Sequence, residues 1–137
     1  MQHSEFMKRV VDDLRVALPA QYQGFESRFM GGLVKMFYGN QHVHYEVALR
    51  STGFVEIGLH FEDEKATNDH LLRHFSQCAL DVISQLGPQV EIEQWTKTWG
   101  RVHQTVSFST PNERLLALVV ERMAAMITVL QPMLEEA

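Results

Sequence analysis

The chain has 137 residues, of which 45% are hydrophobic and 21% charged, with a formal net charge of -5. Those values fit one ordinary globular domain and exclude the disordered, collagenous and low-complexity classes. A surplus of acid also argues against a protein that tracks a nucleic-acid backbone, which needs a basic surface.

The longest unbroken apolar run, residues 115–120, is shorter than a membrane span, and the opening MQHSEFMKRVVDDL lacks the apolar stretch of a secretory leader. Cys78 is the single cysteine, so no internal disulfide can form and a reducing cytoplasmic setting is expected. Phe6, Val10, Leu14 and Ala17 recur at helical spacing between a candidate cap, Ser4, and a stop, Pro19. Residues 4–18 are therefore predicted helical, and 19–27 irregular.

Strand periodicity follows. Val43, Tyr45, Val47 and Leu49 alternate with polar residues, as do Val55, Ile57, Leu59 and Phe61. A loop of Ser51, Thr52 and Gly53 keeps parity, pairing Arg50 with Phe54, Val47 with Ile57 and Tyr45 with Leu59. Gly53 suits the left-handed third position of such a loop. Gly39-Asn40, read as a two-residue turn, pairs Met36 with Val43 and Val34 with Tyr45. Both turns agree on one apolar face, which predicts antiparallel strands near 32–38, 42–50 and 54–62.

Residues 68–86 read as an amphipathic helix with the stripe Leu71, Leu72, Phe75, Cys78, Ala79, Val82, Ile83 and Leu86. Thr67 or Asn68 is expected to cap it, and Gly87-Pro88 to end it. Cys78 on that stripe is expected to be a small buried hydrophobe. Strands near 90–97 and 101–108 follow, turning at Trp99-Gly100 and pairing Ile92 with Phe108 and Gln94 with Val106. Thr110, Pro111 and Glu113 make a capping box for a last helix, which Pro132 should kink or end. Its apolar surface, from Leu115 to Met133, is wider than one sheet face covers. The N-terminal helix or a second subunit must take the rest, and Met123, Met126 and Met133 would suit an adaptable contact. The predicted architecture is one α+β domain over residues 1–137. It has two layers, an antiparallel five-stranded sheet with helices on one face, in the order α-β-β-β-α-β-β-α.

That order, with the small size and acidity, resembles the type III secretion chaperones. The resemblance implies a dimeric α+β protein that holds an extended effector segment. The run GPQVEIEQWTKTWGRVHQTVSF, between an amphipathic and a terminal helix, resembles a small uncharacterised domain found attached to restriction-endonuclease-like nuclease proteins. No nuclease motif accompanies it here, and neither resemblance carries a functional residue over.

The sheet face away from the helices should carry Phe37, Phe54, Trp95, Lys97, Trp99 and Arg101, a mixture of aromatics and cations typical of contact surfaces. The expected function is a non-enzymatic protein-interaction or chaperone-like module, a homodimer binding a protein or peptide through this open face. Stacking of single-stranded bases on Trp95 and Trp99 is a competing reading that the acidic chain disfavours. The same face holds the main chemical alternative. His42 and His44 project from one strand, with His60 opposite His44 and Glu62 opposite His42. Three imidazoles and a carboxylate could bind zinc and support a metal-assisted hydrolase, although Lys35 beside them opposes a cation. A glycine-rich phosphate loop and a nucleophile elbow are both missing; Gly31-Gly32 lacks the partners of the former.

Overall fold

The computed structural model describes residues 1–137. Its elements are α1 (His3–Ala17), β1 (Glu26–Met30), β2 (Leu33–Phe37), β3 (Val43–Arg50), β4 (Phe54–Phe61), α2 (Lys65–Gln77), α3 (Ala79–Leu86), β5 (Glu91–Gln94), β6 (Gly100–Ser107) and α4 (Glu113–Glu135). The α+β class and the antiparallel sheet are as expected. The sheet, however, has six strands rather than five, in the order β1-β2-β3-β4-β6-β5.

The added strand, β1, falls at the end of the stretch read as irregular. Its sequence, ESRFM, shows no alternation because most of it is exposed. A Gly31-Gly32 connection, with Gly31 at φ 58°, turns it back onto β2 and pairs Met30 with Leu33. The middle helix is two helices rather than one. The Cys78 amide bonds back to Phe75 and Ser76, the backbone there leaves the α region, and a second helix starts at Ala79. Leu71, Phe75 and Val82 are buried, Cys78 is half-buried, and Leu80 and Ile83 face outward. The buried positions stay on one helical stripe across the break, so periodicity does not register it.

Several helix starts lie two to four residues from their expected caps. Gln2 rather than Ser4 precedes α1. Glu64 rather than Thr67 or Asn68 precedes α2. Asn112, not Thr110, caps α4, its side chain accepting from the Leu115 amide at 2.9 Å. Asparagine caps as well as threonine, and it stands directly before the first helical residue. Pro132 lies inside α4, which continues to Glu135. Pro19 and Gly87 do mark helix ends, Gly87 at φ 103°.

The β3–β4 register is the expected one, including Arg50 with Phe54 and Tyr45 with Leu59. Between β2 and β3 the register is two residues off: Met36 pairs with Tyr45 and Val34 with Val47. Asn40 lengthens that turn, its side chain accepting from the His42 amide and its carbonyl from the Val43 amide. Between β5 and β6, Ile92 pairs with Val102 and Gln94 with Gly100, replacing the expected Phe108 and Val106 partners. The strand stops at Gln94 because the Trp95 and Thr96 amides both turn onto the Trp99 carbonyl. Both shifts are even, so every side chain keeps its expected face.

The core lies between sheet and helices. Val34, Met36, Tyr45, Val47, Val55, Ile57, Leu59, Phe61 and Val102 meet Phe6, Leu14, Phe75, Val82, Leu116, Met123, Met126 and Ile127 in one buried cluster. Each large apolar side chain there contributes about 1.5–3 kcal/mol. α4 is 23 residues long with a mean hydropathy of 1.5, enough on composition to cross a membrane. Its apolar breadth is nevertheless taken up within the chain: α1 packs along it, Arg9 pairs with Glu113, and Met123, Met126, Ile127 and Leu130 are buried.

Candidate functional site

The site forms on the sheet face opposite the helices, where alternation places His44 and Glu46 of β3 beside His60 of β4. The paired register sets His44 against His60, and Glu46 against Gly58. His44 and His60 stack with ring centroids 5.5 Å apart and an interplanar angle of 11°. Glu62, just beyond β4, completes a quartet. One ligand-type atom from each of His44, Glu46, His60 and Glu62 lies within 4.8 Å of all the others. The first three side chains are buried, although this is the layer without helices. Trp95 stands edge-on to His60 at 5.6 Å, and the Arg101 guanidinium lies 4.5 Å over the Trp95 ring.

Hydrogen bonds fix the orientation of both imidazoles. His44 Nδ1 lies 3.1 Å from the Gln41 carbonyl oxygen, which can only accept, so Nδ1 carries the hydrogen. His44 Nε2 then faces Glu46 Oε1 at 3.1 Å and Glu62 Oε2 at 3.9 Å. His60 Nδ1 lies 3.1 Å from Glu62 Oε2, while its Nε2 faces Glu46 Oε2 at 3.9 Å. Burial pushes the Glu46 carboxyl up, but the hydrogen bond from His44 and the potentials of His60, His44 and Lys35 outweigh it and hold its pKa below the usual value. Glu62 is also lowered, with burial opposed by the hydrogen bond from His60 and the nearby histidines. Both carboxylates are therefore ionised at neutral pH.

Ion pairs continue across the sheet. Lys35 Nζ lies 3.8 Å from Glu62 Oε1, and Arg50 reaches Glu46 at 3.8 Å and Glu56 at 2.9 Å. Arg101 pairs with Glu93 at 2.8 Å and approaches Glu56 at 3.9 Å. His103 Nε2 lies 2.8 Å from Glu93 Oε1 but out of line for a hydrogen bond, so its buried ring nitrogens lack partners. Burial, then Arg101, lowers the His103 pKa in spite of Glu93 and Glu91. Glu91, Glu93 and His103 form a second, more exposed group of ligand-type atoms.

Of the expected zinc residues, the structure brings His44, His60 and Glu62 together and leaves His42 out. His42 precedes β3, is exposed, and adds its positive potential to Asp63, which Asn40 and the Glu64 amide already hold low. Glu46 takes its place. Its position two residues from His44 puts it on the same face, a signal that parity alone could have supplied. The expected contact residues divide. Trp95, Trp99 and Arg101 cluster, the two indoles 6.0 Å apart, with Trp99 still 37% exposed. Lys97 is exposed in the loop between them. Phe37 is buried where β2 meets Glu26 of β1, and exposed Phe54 stands at the other end of β4, beside Ser107. The six do not form one patch.

No family model, curated protein or solved structure matches the chain.

Proposed function

We propose that the protein is a non-enzymatic interaction module that assembles through the open β1 edge of its sheet, and that the partner there is a second copy of the chain. The observation that carries this reading is the edge itself. β1 pairs on one side with β2 and has no strand on the other. Its Phe29 and Met30 are 48% and 49% exposed. Edge strands in monomers are commonly blunted by proline, a bulge or charged side chains; Glu26–Met30 contains no proline, and its charges, Glu26 and Arg28, are of opposite sign. The middle of the open face, in contrast, is filled by the chain's own ion pairs, which leaves the edge as the better contact surface.

Charge favours self-pairing. A two-fold antiparallel pairing centred on Ser27 sets Glu26 against the partner's Arg28, and Arg28 against the partner's Glu26, so both cross-strand pairs are attractive. The metal-assisted hydrolase has less support. A substrate would have to reach the buried quartet, whereas a cavity of about 780 Å³ lies elsewhere, between the end of β6 and the start of α4, lined by Val106, Phe108, Thr110, Arg114 and Leu118.

Light scattering across a concentration series tests the proposal. The wild-type chain should give a dimer mass, Arg28→Glu should weaken the dimer at least tenfold, and Glu26→Arg combined with Arg28→Glu should restore it. A wild-type monomer at about 100 μM, or a dimer indifferent to Arg28→Glu and to Phe29→Lys, would overturn it.

A further inference from the structure

The geometry points to a divalent transition-metal site, suited to zinc, formed by His44, Glu46, His60 and Glu62 on the helix-free face of the sheet. The argument begins with the imidazoles. Because Nδ1 of His44 donates to the Gln41 carbonyl, Nε2 is the nitrogen turned at the Glu46 carboxylate oxygen, 3.1 Å away. Two lone pairs do not attract. Something positive must stand between them, either a proton or a cation. His60 repeats the arrangement: Nδ1 faces Glu62 Oε2 at 3.1 Å, and Nε2 faces the other oxygen of Glu46 at 3.9 Å. One nitrogen of each imidazole and one oxygen of each carboxylate thus lie within 4.8 Å of one another.

The surroundings resemble the outer shell of a metal centre. A backbone carbonyl sets the His44 tautomer, as is common for metal-bound histidine. Lys35 Nζ lies 3.8 Å from Oε1 of Glu62, whose Oε2 is turned toward His44 and His60. Arg50 lies 3.8 Å from Oε2 of Glu46, whose Oε1 is turned toward His44. Across the whole network, Glu46, Glu56, Glu62, Glu91 and Glu93 contribute five carboxylates, against the three fixed cations Lys35, Arg50 and Arg101. A divalent ion offsets that surplus of negative charge. Two imidazoles and two carboxylates suit zinc, cobalt or iron better than magnesium or calcium. Tetrahedral bond lengths of roughly 2.0–2.2 Å set ligand atoms about 3.3–3.6 Å apart, between the 3.1 Å and 3.9 Å separations of His44 Nε2 from Glu46 and Glu62. With Trp95 against His60, and His44, Glu46 and His60 all buried, the centre is closed, the form taken by structural rather than catalytic zinc.

The test uses the full-length chain, stripped with chelator and supplied with Zn²⁺ alone or Co²⁺ alone. One ion per chain should survive gel filtration, and cobalt should give the visible absorption of a nitrogen- and oxygen-ligated ion. His60→Gln and Glu62→Gln should each weaken zinc retention at least tenfold, with far-UV circular dichroism reporting whether each variant folds. Where a variant unfolds, the histidine ring NMR signals of the wild type decide, because zinc should move those of His44 and His60 and leave His42 alone. His103→Gln should keep the ion. Failure of the wild type to retain zinc would mean that a proton fills the gap and would overturn the proposal. So would retention unaffected by His60→Gln and Glu62→Gln, or loss confined to His103→Gln. The Arg28→Glu variant should bind zinc as the wild type does, which separates this test from that of the β1 edge.

Discussion

Gly58 is the position where one added carbon should disturb both fold and site. It lies at the centre of the helix-free face, between Glu46 on β3 and His103 on β6. A Cβ at residue 58 would stand 2.8 Å from the Cβ of His103 and 2.9 Å from the Val102 carbonyl oxygen. Ordinary contacts are several tenths of an ångström longer, and backbone supplies part of the obstruction, so β4 and β6 must separate. Overpacking of this kind costs about 1–3 kcal/mol. Alanine in place of glycine returns about 0.4–1 kcal/mol by restricting the unfolded chain. The net loss for Gly58→Ala should be about 1.3 kcal/mol at the middle of those ranges and at most about 2.6 kcal/mol, a fall in Tm of several degrees for a chain of this size. Gly24→Ala is the control: nothing lies within 4 Å of its added carbon, and stability should hold or rise slightly. Thermal and urea unfolding, followed by circular dichroism, measure both. A Tm for Gly58→Ala equal to or above that of the wild type would refute the claim that these strands meet too closely for a side chain.

Two further outcomes follow from buried polar groups. Asn68 is buried, accepts from the Asp63 amide at 2.9 Å, and donates to the Asp63 and Thr98 carbonyls, both at 2.8 Å. Asn68→Ala strands those partners and should lower the urea-derived stability by about 2–3 kcal/mol; a change below about 0.5 kcal/mol would show that the clamp is dispensable. Burial, with Tyr22 adding to it and Arg15 opposing, pushes the Tyr38 hydroxyl up to about 12, and burial raises Tyr45 well above 10. The unfolded chain ionises these groups near pH 10, so their contribution is complete below that pH and is lost as pH rises toward 12. Each contributes a slope of at most about 1.4 kcal/mol per pH unit, reduced for Tyr38 by solvent around its half-exposed ring. Urea unfolding from pH 9 to 11.5 should show a shallower decline in Tyr38→Phe, and an unchanged decline would refute the assignment.

The fold was legible where alternation and turn chemistry agreed. The strands carrying Tyr45 and Leu59 have one buried face each, and Gly53 permits one register between them. β1 was hidden because ESRFM has no buried face to produce a pattern; the Gly31-Gly32 hairpin was its only sign. The break at Cys78 was hidden because Leu71, Phe75 and Val82 keep one helical stripe across it. At the site, parity found His44, His60 and Glu62, since position along a strand determines the face. It could not show that the backbone bends away at His42, or that Asn40 lengthens the preceding turn. The indole positions were half legible: Trp95 and Trp99 meet as neighbours in one short loop, whereas Phe37 and Phe54 are separated by where the strands end.

The buried quartet sets the energetic question that zinc would answer. Carboxylates placed away from water lose hydration, and ion pairs in that setting recover it incompletely unless their geometry is good. Glu46 is 4% exposed, and the arginine and lysine reach the inner carboxylates only at 3.8 Å, beyond hydrogen-bonding distance. Without an ion, the inner carboxylates depend on the His44 and His60 contacts, each at 3.1 Å. Zinc bound to the folded chain alone adds RT ln(1 + [Zn]/Kd), about 2.7 kcal/mol at a concentration one hundred times Kd. In a domain of this size that is a Tm rise of roughly 10 °C. The rise should vanish in His60→Gln and persist in His103→Gln. An equal rise in His60→Gln would show that zinc acts elsewhere on the surface, leaving the imidazole–carboxylate ring to be held by protons.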